Sequence, residues 1–369
     1  MDAYLGRRLF VFGSAAFLTE LSLFRRAIGQ TLAPGGAVPT VDTLSITVVM
    51  DSSHDIFLRA PVPKGVRIRR TPAADDWRKT LHGHWGLSLA LESKTGAETR
   101  TVLLDFGYQP EQFLDNLGML KIDPAKFDAM VVSHGHFDHF GGLVGFLKKH
   151  RASMRNDLTL YVGGEENFCV RKRRTATPNH FADWGTLDRR EVEAHRVNIV
   201  GCEKPMVIAG HAFSSGTIGR SGFEKVLPNT MVIYGKQGEI GCNPAAGAGR
   251  AAGAPVHDEH LQEHATCYNV RDRGLVVISS CGHAGIINSI RAAMEASGVR
   301  KLHALVGGFH LAPADDDYLK QSVAALKALN PDVVIPMHCS GINFLQAMRE
   351  QMPDRLAMST VGSIFTLGA

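Results

Sequence analysis

The chain has 369 residues, 44% hydrophobic and 21% charged, with a formal net charge of +4; this balance permits one large core or two and excludes a disordered or fibrous chain. The charge is small for the size and no Lys/Arg stripe is interleaved with aromatics, so nucleic acid is not an expected partner. Six cysteines without short regular spacing do not make a disulfide framework.

Arg7-Arg8 precede an apolar run, Leu9 to Leu18, and a small-residue stretch follows at Ala33 to Ala37. Residues 1–40 therefore read as a twin-arginine export signal and linker, which would place the mature protein in the periplasm or outside the cell. Glu20 and Arg25-Arg26 interrupt the apolar stretch, so an amphipathic helix on a cytoplasmic protein is the competing reading. The run is too short to cross a bilayer, and no stable membrane span is expected. The folded domain is expected over 41–369.

Leu44 to Met50 alternates and is rich in β-branched residues, which predicts a strand; Gly86 to Leu91 and Thr101 to Asp105 predict two more, with a turn at Ser93 to Gly96. Pro61 to Asp76 reads as loop. Asp105 ends a strand, where its carboxylate can bond nearby backbone N–H groups in a structural role. Pro110 to Leu120 has helical spacing, Phe127 to Val132 reads as a buried strand, Leu143 to Lys149 as a helix and Leu158 to Val162 as a strand. The pattern weakens over 163–260, which reads as an irregular insertion covering a site. Within it, Arg171-Lys172-Arg173-Arg174 reads as a solvated loop that could receive an anionic substrate if it lay near a metal centre, and the Gly/Ala-rich Cys242 to Pro255 as a flexible flap. Regularity returns with strands at Ala265 to Val270, Leu275 to Ser279, Leu302 to Val306 and Val333 to Pro336, and helices at Ile286 to Ala296 and Tyr318 to Leu329.

The chemistry concentrates where strands end. After Val132 come His134, His136, Asp138 and His139, then Gly141-Gly142. His134 and His136, two apart in extended backbone, project to one side, while Asp138 and His139 can face a second point nearby. Imidazoles and a carboxylate suit zinc, iron or manganese. Three later strands also end near a histidine: His283, His310 and His338. In α/β sheets such carboxyl ends converge on one edge. Cys281 and Cys339 adjoin candidate ligands and read either as thiolates within reach of a metal or as small packed residues.

The motif His-x-His-x-Asp-His resembles the signature of the metallo-β-lactamase superfamily. Together with Ser280 to Gly285, Val306 to Leu311 and Pro336 to Gly341, it resembles the dihydropteroate-synthase-like subgroup of that superfamily, which contains a pterin-related synthase. The resemblance, over roughly 43–369, implies an α/β fold, the αβ/βα sandwich of two mixed sheets face to face with helices outside. It implies two divalent metal ions, with zinc the first choice, and a hydrolase that attacks an ester, lactone, amide or phosphoester of a small molecule with a metal-activated water. A pterin-related synthase and a ligand-binding protein without turnover are the alternatives. By the resemblance, His134 and His136 hold the first ion, and Asp138, His139 and His338 the second; the later motifs depart from the family pattern, and His283 is assigned as the missing ligand of the first ion. Cys281 stands where many members carry a bridging aspartate. His257, Asp258, His260 and His264 lie near the place of a further ligand histidine, and any one could substitute. Asp138 and His310 are the candidate catalytic residues, His310 as a group that contacts substrate, stabilises an oxyanion or protonates a leaving group.

Overall fold

A computed structural model describes residues 29–33, 35–71 and 76–368; the proposed leader, Arg7 to Leu18, lies outside them. Two sheets face one another. The first runs, edge to edge, Asn198–Gly201, Thr159–Val162, Ala129–Val132, Glu98–Leu104, Ser88–Thr95, Thr43–Met50, Ser363–Gly368 and Val66–Arg70; the second runs Met206–Ile208, Ala212–Ser214, Thr266–Val270, Gly274–Ser279, Leu302–Gly308 and Val333–Met337, with Thr40–Val41 paired beside Thr266–Val270. Both are mixed: strands joined by a helix pair parallel, as does the short Thr40–Val41 with Thr266–Val270, and the hairpin neighbours pair antiparallel. The expected sandwich is thus present.

Period-two alternation builds its layers. Val131 points into the core between the sheets with Val276, Ile278 and Val306. Its neighbours Met130 and Val132 point outward onto helices Pro110–Met119 and Leu143–His150 through Phe113, Phe146 and Leu147. On the other side Val277, Leu305 and Val334 meet helices Ile286–Ser297, Asp316–Leu329 and Ile342–Gln351 through Ile290, Val323 and Phe344. Phe146 is fully buried with rings of Phe106, Phe113 and Phe127 about it, so its truncation to alanine should cost about 3 to 5 kcal/mol.

Several sequence expectations change here. The Pro61 to Asp76 loop contains an edge strand, Val66–Arg70, and the turn expected at Ser93 begins only after Thr95. The weak region 163–260 supplies strands to both large sheets and forms a third, four-stranded sheet from Val256–His257, Met231–Ile233, Val170–Arg174 and Phe181–Asp183. Strands of two to five residues are too short to show a period. The stretch expected as a flap is pinned: Cys242 is disulfide-bonded to Cys169, Asn243 N–H donates to Glu165, and Gly247 lies against the Tyr234 ring. Residues before the expected boundary at 41 also belong to the fold, with Leu32 buried and bonded to Pro205, and Val207 N–H donating to Gln30. Among the described residues no helix is long and apolar enough to cross a membrane.

Candidate metal centre

The strand Ala129–Val132 stops at Ser133, and His136, in extended backbone, starts the one-turn helix Phe137–Phe140. That turn swings Asp138 and His139 to a second point beside the one faced by His134 and His136. Gly141 and Gly142 allow the turn to rest on the loop after Leu104: a Cβ would stand 2.0 Å from the Tyr108 carbonyl oxygen at Gly141 and 2.3 Å from that of Phe106 at Gly142.

The structure brings the expected residues together. Ligand atoms of His134, His136, His260 and His283 lie within 4.8 Å of one another, and so do those of Asp138, His139 and His338. Cys281 joins the two sets, grouping once with His134 and His139 and again with His338 and Cys339. Its Sγ is 3.2 Å from His139 Nε2 and 3.4 Å from Cys339 Sγ. His310 stands at the side, its ring 4.3 Å from that of His283; its Nε2–H donates to the Pro228 carbonyl at 3.2 Å, and its buried Nδ1 has no partner.

Hydrogen bonds behind the rings decide which nitrogen faces the centre. Asp105 accepts the Ser133 hydroxyl at 2.8 Å, so that hydroxyl accepts from His134 Nδ1–H at 3.0 Å and leaves His134 Nε2 buried and unpartnered. Asp105 also accepts His139 Nδ1–H at 2.7 Å, leaving Nε2 to face Cys281 and Asp138. The structural role expected for Asp105 is therefore filled, and extends to two ligand-type histidines. On the other side Thr230 donates to Asp258 at 3.2 Å and accepts from His136 Nε2–H at 2.7 Å, which leaves His136 Nδ1 for the centre.

Of the four alternatives near 260, only His260 joins a set. His264 is saturated, donating from Nε2 to the Val132 carbonyl and accepting from Ser214 at Nδ1. His257 lies partly exposed beside Glu259, and Asp258 is paired with Arg171. The basic run is no solvated loop either: Arg171 is fully buried, and Lys172 pairs with Asp183.

Burial strips water from His134, His260 and His283 and holds all three well below the ordinary 6.5, an effect that the crowded imidazoles reinforce. Burial also opposes charge on His139, but Asp105 and Asp138 outweigh it and raise the pKa to about 9. For Asp138 burial works against ionisation and is outweighed by His139 and His338, so it stays below the usual carboxylate range. One set thus gathers neutral nitrogen donors and the other carries a carboxylate. Both nitrogens of His260 and of His283, His134 Nε2 and Asp138 Oδ1 are buried without a hydrogen-bond partner, an arrangement that fits divalent cations. His260, His310 and His338 all sit at positive φ, +47, +46 and +49°, backbone strain of the kind that persists where a site imposes it.

Sequence reasoning missed the residues that hold this arrangement. Asp51 accepts the His338 backbone N–H at 2.7 Å, and Glu263 accepts those of His283 and Ala284 at 3.1 and 2.6 Å. Neither belongs to a motif; Asp51 directly follows the strand Thr43–Met50, and Glu263 lies in the loop before Thr266–Val270.

A family model described as the metallo-beta-lactamase superfamily matches residues 96–338. The chain belongs to that superfamily. Among solved structures, a metal-dependent hydrolase of the beta-lactamase superfamily aligns with a TM-score of 0.61 at 20% identity, over 87% of this chain and 98% of that one. A curated relative from Methanocaldococcus jannaschii, 7,8-dihydropterin-6-methyl-4-(beta-D-ribofuranosyl)-aminobenzene-5'-phosphate synthase, is 25% identical over 285 residues, covering 76% of this chain and 88% of its own. An uncharacterized protein of the same archaeon is 24% identical over 276 residues, covering 74% of this chain and 90% of its own. This superfamily member carries clusters able to hold metal ions where its strands end.

Proposed function

We propose that the protein is a dinuclear metal-dependent hydrolase acting on an ester, lactone, amide or phosphoester bond of a small molecule. The observation that carries this is the gathering of seven histidine and aspartate side chains into two adjacent sets, with buried donor atoms left unpaired. In this reading His134 through Nε2, His136 through Nδ1 and at least one of His260 and His283 hold the first ion, since an open catalytic site needs only three protein ligands. Asp138, His139 through Nε2 and His338 hold the second, with Cys281 between. The ions supply an activated water and polarise the oxygen of the bond under attack. Zinc fits the imidazole-rich first set, and iron or manganese also suits the carboxylate. His310, with Nδ1 free, is placed to hydrogen-bond substrate or hold a proton for the leaving group. Trp85, half exposed and 4.6 Å from the His338 ring, would form an apolar wall for the substrate.

The test is a panel of esters, lactones, amides and phosphoesters assayed before and after chelation. Turnover that is lost to the chelator and restored by added metal supports a hydrolase. Metal binding without turnover on any class would favour the ligand-binding alternative. A pterin-related synthase is kept as a second reading by one observation, the 25% identical relative of that name.

Export is part of the same proposal. The Cys169–Cys242 disulfide belongs in an oxidising compartment, which supports the twin-arginine reading over the cytoplasmic one.

A further inference from the structure

We propose that a buried relay, Arg171 to Asp258 to Thr230, positions His136 for the first metal ion and sets Nδ1 as its donor atom. The inference rests on the dinuclear reading above. Asp258 is fully buried and Arg171 is 1% exposed, and Arg171 Nε donates to Asp258 Oδ2 at 2.8 Å. The same oxygen accepts the Thr230 hydroxyl, which accepts from His136 Nε2; Oδ1 accepts the His260 backbone N–H at 3.1 Å. One carboxylate therefore reaches the His136 ring through Thr230 and holds the backbone of His260.

A buried ion pair is weak evidence for stability, because desolvation offsets its attraction. What distinguishes this pair is how much of the chain is arranged around it. The third sheet brings its three members together: Lys172, next to Arg171, and His257, next to Asp258, both pair with Met231, the residue after Thr230. Arg171 is further tied by donating to the Glu166 and Cys169 carbonyls at 3.1 and 3.2 Å. Cys169 is itself fixed to Cys242. The guanidinium lies directly over Gly135, where a Cβ would come within 2.2 Å of Arg171 Nη1. The glycine between the first two histidines is thus a place left open for the arginine. The 163–260 segment, read from sequence as a cover, is in this account the rear wall of the first ion's site.

The relay makes a prediction that packing alone does not. If Thr230 accepts from His136 Nε2–H, replacing it with valine, similar in size, removes the acceptor and frees the ring to change tautomer. Asp258→Asn removes the charge while keeping the shape. Metal-loaded wild type and both variants are titrated against a chromophoric chelator, with folding followed by circular dichroism. The expected result is a 10- to 100-fold loss of affinity in one of two binding steps, the other staying within about two-fold, as losses behind metal ligands behave. Long-range ¹H–¹⁵N spectra of the zinc-loaded wild type should show His136 protonated at Nε2. Unchanged affinities in both variants, an equal loss in both steps, or a proton on His136 Nδ1 would overturn the relay. A wild type that binds no ion would overturn it together with the dinuclear reading, whereas two tight steps in wild type and variants alike would remove the relay alone. Should Asp258→Asn fail to fold, Thr230→Val, which leaves the ion pair intact, decides the matter.

Discussion

The Sγ of Cys281 lies 3.2 Å from Nε2 of His139, between the two sets of ligand-type side chains. Without metal, burial and the neighbouring Cys339 push the Cys281 thiol well above its ordinary value, so a thiolate there requires a cation beside it. If it is a ligand, Cys281→Ser should lower metal affinity by about ten-fold or more. Chelator competition on the serine variant checks this; an affinity equal to wild type would leave Cys281 as a packed small residue.

His264 gives a pH dependence. It is buried with both nitrogens bonded, and burial lowers its pKa to about 4. A histidine neutral in the fold but protonated when unfolded contributes nothing above pH 6.5, and costs stability progressively as pH falls from 6.5 towards 4. The shift corresponds to about 3 kcal/mol at the acid end. In urea unfolding of metal-free protein, His264→Gln should be less stable than wild type at pH 7.5, and the gap should shrink by about 2 to 3 kcal/mol at pH 4.5. A gap independent of pH would contradict the assignment.

The two sheets and most helices were legible because their strands alternate and their helices carry clear apolar faces, as at Thr43–Met50 and Ile286–Ser297. His134, His136, Asp138, His139, His283 and His338 were legible because a dense motif and two later strand endings announce them. Asp258 and Thr230 were not. Their roles depend on strands of two and three residues whose pairing is set by tertiary contacts, and buried Arg171 is indistinguishable in sequence from a solvated basic run. The Cys169–Cys242 bridge was hidden in the same way, by a separation of 73 residues.

That bridge closes a long loop, so its loss should be felt mainly through the unfolded chain. Cys242→Ser is expected to cost about 2 to 4 kcal/mol in guanidinium unfolding. Stability unchanged from wild type would argue against the bridge.

Export predicts a product in the periplasm or medium shortened by at most about 30 residues. Substituting both Arg7 and Arg8 with lysine should retain the full-length chain in the cytoplasm. Cell fractionation finding only full-length cytoplasmic wild type would remove the idea. Since Gln30 and Leu32 bond to the fold, N-terminal sequencing should place the cut at or before residue 30.

Two ions held side by side at the strand ends can be counted by elemental analysis of the reconstituted protein. Wild type should hold two metal ions per chain and Asp138→Asn one, because a neutral amide is a poorer ligand than a carboxylate and Asp138 belongs to only one set. One ion or none in wild type, or equal loss of both in the variant, would contradict the two-ion centre.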